Sequence, residues 1–478
     1  MPDLNALFLT VGNYCRREVI TCTPSDRLTA AAAIMQRRNI SSLVVCVGGH
    51  PVGILTDRDL RNKVVAQGLD PDTLSVADIM NSPVLTIAED DYLFEALHRI
   101  SRHRIHRLVV TGPKGELAGI ITDSDILRVQ TRSPQQLVLE IEEAATLDEL
   151  KELHQRVQSL VQHLIGTGVH IRDLVRLIAH LNDRIVVRLI ELLRADRFPG
   201  LTEKFAFVVL GSEGRSEQTL TTDQDNALIY VDDLPAAELR QLQEFSTLLI
   251  NSLIAIGVPS CPGGIMAKND PWRRSLQQWR TVLDQWFSAP TPENIMNVSM
   301  FSDVRMLSGD PALELTLKEH VVGRLQGNDF YLGHMIANLL HFPVPLGLFG
   351  RIKGEKGEHA GRLDLKKAGI FAITEGVKIL ALASGVQETG TAQRIERLTQ
   401  LGELTQKAAD DLTASFNALV QFRLRTQVEA ISAGRSPDNR ITLAGLNRME
   451  QERLKAALQG VRTFQESLGN RYRLGQSI

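Results

Sequence analysis

Asp223 and Asp225 stand two residues apart behind a glycine turn in "GSEGRSEQTLTTDQDNALIY", residues 211–230. The turn follows an apolar run, "FAFVVL" from Phe205 to Leu210, and the aspartates lead into "ALIYV", so the stretch reads as strand, glycine turn, polar connection, strand. On a strand the two aspartates would project to the same face. Carboxylates held side by side repel unless a cation sits between them, and a divalent metal resolves that repulsion. Magnesium, or manganese in its place, prefers a few carboxylates with phosphate oxygens completing its shell. The turn from Gly211 to Gly214 lets backbone N–H groups approach those phosphates, and Ser212 adds a hydroxyl donor. The economical answer is a nucleoside triphosphate with its metal. A Walker loop is excluded because Arg215, not lysine, follows Gly214, and the GxGxxG fingerprint is absent.

The elements around this stretch suggest several domains, about three at ~150 residues each for a chain of 478. The first shows an internal repeat. "PVGILTDRDLRNKV" (51–64) and "LAGIITDSDILRVQ" (117–130) superpose with Gly53, Thr56 and Asp59 matching Gly119, Thr122 and Asp125 at a constant offset of 66. Each copy parses as β-α-β-β-α, with the threonine ending a strand and the aspartates opening a helix. Helix capping is the simplest role for TDxD, although capping alone does not require a second aspartate at the same offset in both copies. Arg99, Arg102, His103, Arg104, His106 and Arg107 give one end of the second copy unusual positive charge, suited to phosphate or to a solvated helix face.

Residues 134–200 change character: Leu147, Leu150, Leu153, Val157, Leu160, Val161 and Leu164 recur at helical spacing, and a second amphipathic helix follows "GTG". From about 320 the chain is again helical, with a glycine-rich basic segment carrying Arg351, Lys353, Lys356, Arg362, Lys366 and Lys367. Its charge suits a triphosphate, an acidic acceptor or a flexible surface hairpin equally. The net charge of −3, with 43% hydrophobic and 23% charged residues, gives no overall bias toward nucleic acid or an anionic membrane. Four cysteines without CxxC spacing indicate neither a zinc site nor a disulfide framework, no run reaches a membrane span, and the expected location is the cytoplasm.

The doubled G-x-x-T-x-x-D signature and its element order resemble tandem CBS domains over residues 10–131. That resemblance implies adenine nucleotides such as AMP or ATP in the clefts between the units, held by Thr56, Asp59, Thr122 and Asp125, and a homodimer. The G-S-x-G-R-x-E-x-x-x-x-T-D-x-D stretch resembles the active-site signature of polymerase β-like nucleotidyltransferases, in the form found in the uridylyltransferases of the signalling protein PII. It implies phosphate binding at Gly211, Ser212, Gly214 and Thr222, with Arg215 and Glu217 shaping the turn and Asp223 and Asp225 binding metal. Asp303, in "VSMFSDVRMLSGD", is expected to complete the metal set, while Asp232, Asp233 and Asp310 fit turns. "CPGGIMAKNDPWRRSLQQWRTVLDQWF" resembles a block of the transferase-like proteins that follow CBS pairs.

The expected architecture is therefore α/β and multidomain: a CBS pair (10–131), a helical connector (134–200), a nucleotidyltransferase domain (201–318) and a helical substrate-binding domain (320–478). The expected function is transfer of a nucleoside monophosphate to a regulatory-protein acceptor of the PII type under adenylate control. The alternatives are a small-molecule transferase and a non-catalytic adenylate-sensing scaffold.

Overall fold

The computed structural model describes residues 9–130, 134–165, 169–221, 223–347 and 350–472; Thr222, expected at the phosphate site, lies outside them. The chain divides into two compact units, Met1–Gln136 and Leu137–Ile478.

In the first unit one pattern is built twice. Strand β1 (Thr21–Cys22) pairs in parallel with β2 (Ser42–Val47), which turns back antiparallel onto β3 (His50–Thr56). Strands β4 (Thr86–Ala88), β5 (Arg107–Thr111) and β6 (Leu117–Thr122) repeat this. The register slips at the same place in both hairpins, between Val45 and Cys46 and between Val110 and Thr111. The helices Leu28–Arg38 and Leu93–His103 end on left-handed residues, Asn39 and Arg104, both at φ 51. Each copy buries its own core: Leu43, Val45 and Leu55 with Leu28 and Ala31, then Leu108, Val110 and Ile121 with Leu93 and Ala96. The continuous apolar runs in "SLVVCV" and "RLVVT" supply these cores through their alternate residues.

The second unit is organised by a four-stranded sheet in the order β10-β7-β8-β9. Strands β7 (Phe205–Val209) and β8 (Asn226–Tyr230) are antiparallel, β9 (Arg273–Ser275) runs parallel to β8, and β10 (Arg305–Gly309) is antiparallel to β7. All five residues of β7 are buried, so both faces need cover. Phe205, Phe207, Val209 and Leu228 face one core, and Ala206, Val208, Ala227 and Ile229 face the other. The helices Leu147–Ile165 and Ile171–Asp196, expected as a connector, lay Leu150, Leu153, Val157, Leu181, Ile185 and Leu189 on the first face together with the helix Ala236–Ile256. The second face carries Trp279, Leu283, Leu317 and Val321, and the same core continues into Ile373 and Val377 of the helix Phe371–Ala383. Each large apolar side chain buried this way is worth roughly 1.5–3 kcal/mol. The sequence boundaries near 200 and 320 are thus not breaks in packing. Among the described residues no helix is long and apolar enough to cross a membrane.

Candidate functional site

The glycine turn and the paired aspartates come together at the end of β7. Leu210 N donates to Asp225 O at 2.8 Å, which ties the turn to the approach of β8, and Asp225 N donates to Glu213 Oε2 at 3.3 Å. Gly211 has φ +53, and a Cβ there would lie 2.9 Å from Met300 Cε and 3.3 Å from Asp225 Oδ2. Its backbone therefore sits against the carboxylate, as only glycine allows. At Gly214 a Cβ would fall 1.8 Å from Asp303 O, so this glycine is required by close packing. Strand β8 begins at Asn226, so the aspartates precede the strand instead of lying on it. Gln224 bridges to Ser260 and is 1% exposed, while Asp223 and Asp225 on either side are half-buried. The alternation that aligns the two carboxylates is kept. Asp223 has no hydrogen-bond or ion-pair partner among the described residues, and neither does the Ser212 hydroxyl. Burial pushes Asp225 up to about 6, against the hydrogen bond from the Cys261 thiol and the pull of Lys366, and with the help of Asp223. Glu213 is pushed well above the usual carboxylate range by burial and then by Asp225.

Asp303 is not a third member of this set. It is 0% exposed, and both of its oxygens are taken by cations: Arg394 at 2.7 Å on Oδ1, with Arg215 at 2.6 Å and Lys378 at 2.8 Å on Oδ2. Burial alone would raise its pKa, but Lys378, Arg394 and Arg215 hold it down to about 2. A metal would have to displace three buried positive charges, which is why the metal role expected for Asp303 is withdrawn. Arg215 also donates to Glu217 Oε2 at 2.8 Å, Glu217 Oε1 accepts from Thr391 N at 2.6 Å, and Lys378 meets Glu375 Oε1 at 2.8 Å. Arg215 and Glu217, expected at the turn, thus belong to a balanced node of three cations and three anions that joins the turn to the C-terminal helices. Arg305 donates to Asp183 Oδ1 at 3.0 Å and to Glu213 O at 2.7 Å, bracing the same turn. Asp232 and Asp310 cap helices, accepting from Gln277 N and Ala312 N at 2.7 and 2.9 Å.

Sequence reasoning missed Glu213, Cys261, Lys378, Arg394 and Arg423. One signal was available, since Glu375 and Lys378 stand three apart in the otherwise apolar "FAITEGVKILALA", a spacing that pairs charges on a buried helix. The two remaining carboxylates, Asp223 and Asp225, offer hard oxygen ligands and fit a divalent cation of the magnesium type. Among the described residues no group of three or more His, Cys, Asp or Glu is arranged to hold a metal ion, so substrate oxygens would have to complete its shell.

In the first unit the constant threonine and second aspartate of each motif bond to each other. Thr56 Oγ1 and N donate to Asp59 Oδ2 at 2.5 and 3.0 Å, and Thr122 Oγ1 and N donate to Asp125 Oδ2 at 2.7 and 3.1 Å. Capping by itself therefore accounts for both residues. The second oxygens differ: Asp59 Oδ1 accepts from Asn81 Nδ2 at 2.9 Å and lies 3.4 Å from Lys63, whereas Asp125 Oδ1 lies 3.3 Å from Arg16. Of the basic cluster, Arg99 is spent on Glu95 at 3.1 Å and His106 on Asp123 at 2.8 Å.

Comparison with known proteins follows the same division. The model of the CBS domain matches residues 11–66 and 76–132. That of "Putative nucleotidyltransferase DUF294" matches 155–293, and that of "Putative nucleotidyltransferase substrate binding domain" matches 329–472. An uncharacterized protein of Methanopyrus kandleri is 40% identical over 123 residues, 26% of this chain and 63% of that one. An inosine-5'-monophosphate dehydrogenase of Korarchaeum cryptofilum is 34% identical over 114 residues, 24% of this chain, and only 23% of its own length is spanned. Hypoxic response protein 1 of Mycobacterium tuberculosis is 32% identical over 111 residues, 23% of this chain and 77% of that one. An uncharacterized conserved protein of Pyrococcus horikoshii, known as a crystal structure, is 28% identical with a TM-score of 0.25, covering 27% of this chain and 96% of its own. With one motif built twice in its first unit, and the glycine turn and aspartates in its second, the chain belongs to the CBS-domain proteins that also carry the regions described as "Putative nucleotidyltransferase DUF294" and "Putative nucleotidyltransferase substrate binding domain".

Proposed function

We propose that the second unit is a metal-dependent nucleotidyltransferase that moves a nucleoside monophosphate from a triphosphate to a hydroxyl of a regulatory protein of the PII type, under control of adenylates at the CBS pair. The observation that carries this reading is the meeting of the Gly211 backbone with Asp225 while Asp223, beside it, has no cation partner among the described residues. A divalent cation held by Asp223 and Asp225 would neutralise charge on the triphosphate. The N–H groups of the Gly211–Gly214 turn and the Ser212 hydroxyl orient the phosphates. The acceptor oxygen bonds to the α-phosphorus, the bond to the bridging oxygen breaks, pyrophosphate leaves, and the acceptor proton passes to solvent. The chain contributes positioning and charge complementarity. At the CBS pair, Thr56, Asp59, Thr122 and Asp125 are the groups proposed to meet ribose and phosphate, and a homodimer is the proposed assembly.

Asp223→Asn and Asp225→Asn each remove a charge at nearly constant volume. Both should abolish metal-dependent release of pyrophosphate when acceptors and labelled triphosphates are supplied, and turnover retained by both variants rejects the assignment. A second reading, a nucleotide-sensing scaffold without turnover, gains weight from the removal of Asp303 from the metal set. It predicts triphosphate binding with no pyrophosphate released by the unsubstituted chain.

A further inference from the structure

Two cations near the paired aspartates lack an anion. Arg423, on the helix Gln406–Ser432, is 5% exposed and spends only Nε, on Asn439 Oδ1 at 2.7 Å. Among the described residues no carboxylate comes within ion-pair distance of it. The Lys366 ammonium has neither hydrogen bond nor ion pair there. Burial lowers the pKa of Arg423 to about 10, with Asp364 and Asp223 opposing and Arg215 adding to the strain. Lys366 is open to solvent by area, yet the protein mass around its ammonium, and then Arg423, lower its pKa against the pull of Asp225 and Asp223. The two cations thus press on each other and on Arg215, Lys366 lying within the field of Asp225 and Asp223 and Arg423 within that of Asp364 and Asp223.

Three other basic groups of the C-terminal region are spent: Arg362 on Asp438 at 2.8 Å, Arg440 on Glu355 at 3.0 Å, and Lys378 in the Asp303 node. One turn beyond Arg423 on the same helix face, Gln427 is 1% exposed, and both atoms of its amide are without partners. A buried, unpaired charge is costly, and unspent donors beside it compound that cost. Opposite charges that share a field without pairing are resolved together by one kind of ligand. A metal-bound polyphosphate gives cation to the carboxylates and anionic oxygens to the lysine and arginine.

We propose that Lys366 and Arg423 receive the polyphosphate of the nucleotide substrate, so that the C-terminal helices supply phosphate-binding groups to the site of Asp223 and Asp225. This rests on the transferase reading. The full-length protein is titrated with inorganic tripolyphosphate and Mg2+, then with each of the four nucleoside triphosphates, and melted without ligand. Lys366→Met and Arg423→Met should each weaken tripolyphosphate binding at least tenfold. Ligand-free Arg423→Met should melt no lower than the unsubstituted chain, because it sheds an uncompensated charge; a structural arginine would lower Tm on removal. Tripolyphosphate affinity within twofold of the unsubstituted chain in both variants overturns the proposal. So does a loss confined to acceptor modification, which assigns the cations to the acceptor. If binding by the unsubstituted chain falls with Asp223→Asn but ignores Lys366→Met and Arg423→Met, the transferase reading stands and only the polyphosphate assignment falls. If the unsubstituted chain binds neither tripolyphosphate nor any triphosphate, both fall.

Discussion

Around Asp303 three cations meet one fully buried carboxylate, and the charges are balanced by Glu217 and Glu375. Asp223 and Asp225, on the approach to the neighbouring strand, lie within the field of Lys366 without an ion pair to it. The same residue types do opposite work in the two places. At Asp303 the pairing is complete, so the charges hold the glycine turn to the C-terminal helices. At Asp223 and Asp225 it is incomplete, and the folded chain keeps charge that a ligand can neutralise. A saturated cluster acts as a structural joint, and the unsaturated one is where the proposed metal and nucleotide would bind.

The sharpest way to break this comparison is to empty the joint. Asp303→Ala leaves three cations buried without their common partner and should cost ~3–5 kcal/mol in a urea melt. Stability within 1 kcal/mol of the unsubstituted chain would remove the distinction. Asp225→Asn should do the reverse at pH 7, abolishing transfer while raising the ligand-free melt. A clear drop in Tm would mean that Asp225 is structural after all.

Acid titration sharpens the contrast, because the two aspartates are shifted in opposite directions. Asp303 is held down to about 2, so its stabilisation is present above the ordinary carboxylate pKa of about 3.9 and is lost as the pH falls toward 2. Asp225 is raised to about 6, so its contribution is fully favourable only below about 3.9 and fades as the pH rises through 6. The advantage of Asp225→Asn in a melt should therefore be present at pH 7 and gone by pH 4. An advantage that does not change over this range would contradict the assigned shift.

The smallest expected effect joins the two units. If adenylates at the CBS pair bias the transferase, then saturating triphosphate with Mg2+ should change adenylate affinity by the same factor as the reverse, typically ~1–3 kcal/mol. Calorimetry on the full chain that shows identical adenylate affinity with and without triphosphate would leave the CBS pair without an equilibrium role at the nucleotide site.

Local pattern was enough for the repeat and for the glycine turn with its aspartates. A constant offset between Thr56/Asp59 and Thr122/Asp125, an unbroken apolar run before Gly211 and a glycine where backbone must approach carboxylate are all written within a few residues. The sequence also determined that Asp223 and Asp225 share a face, since alternation is a property of extended chain wherever the strand formally begins. What it could not determine was which charges are spent. Asp303 reads as a third metal ligand until Arg215, 88 positions away, and Arg394, 91 positions away, are seen on its two oxygens. The helices from 147 to 196 read as a connector until the two-sided burial of β7 draws them onto the sheet. Electrostatic balance is a sum over neighbours in space, and only the tertiary structure decides who those neighbours are.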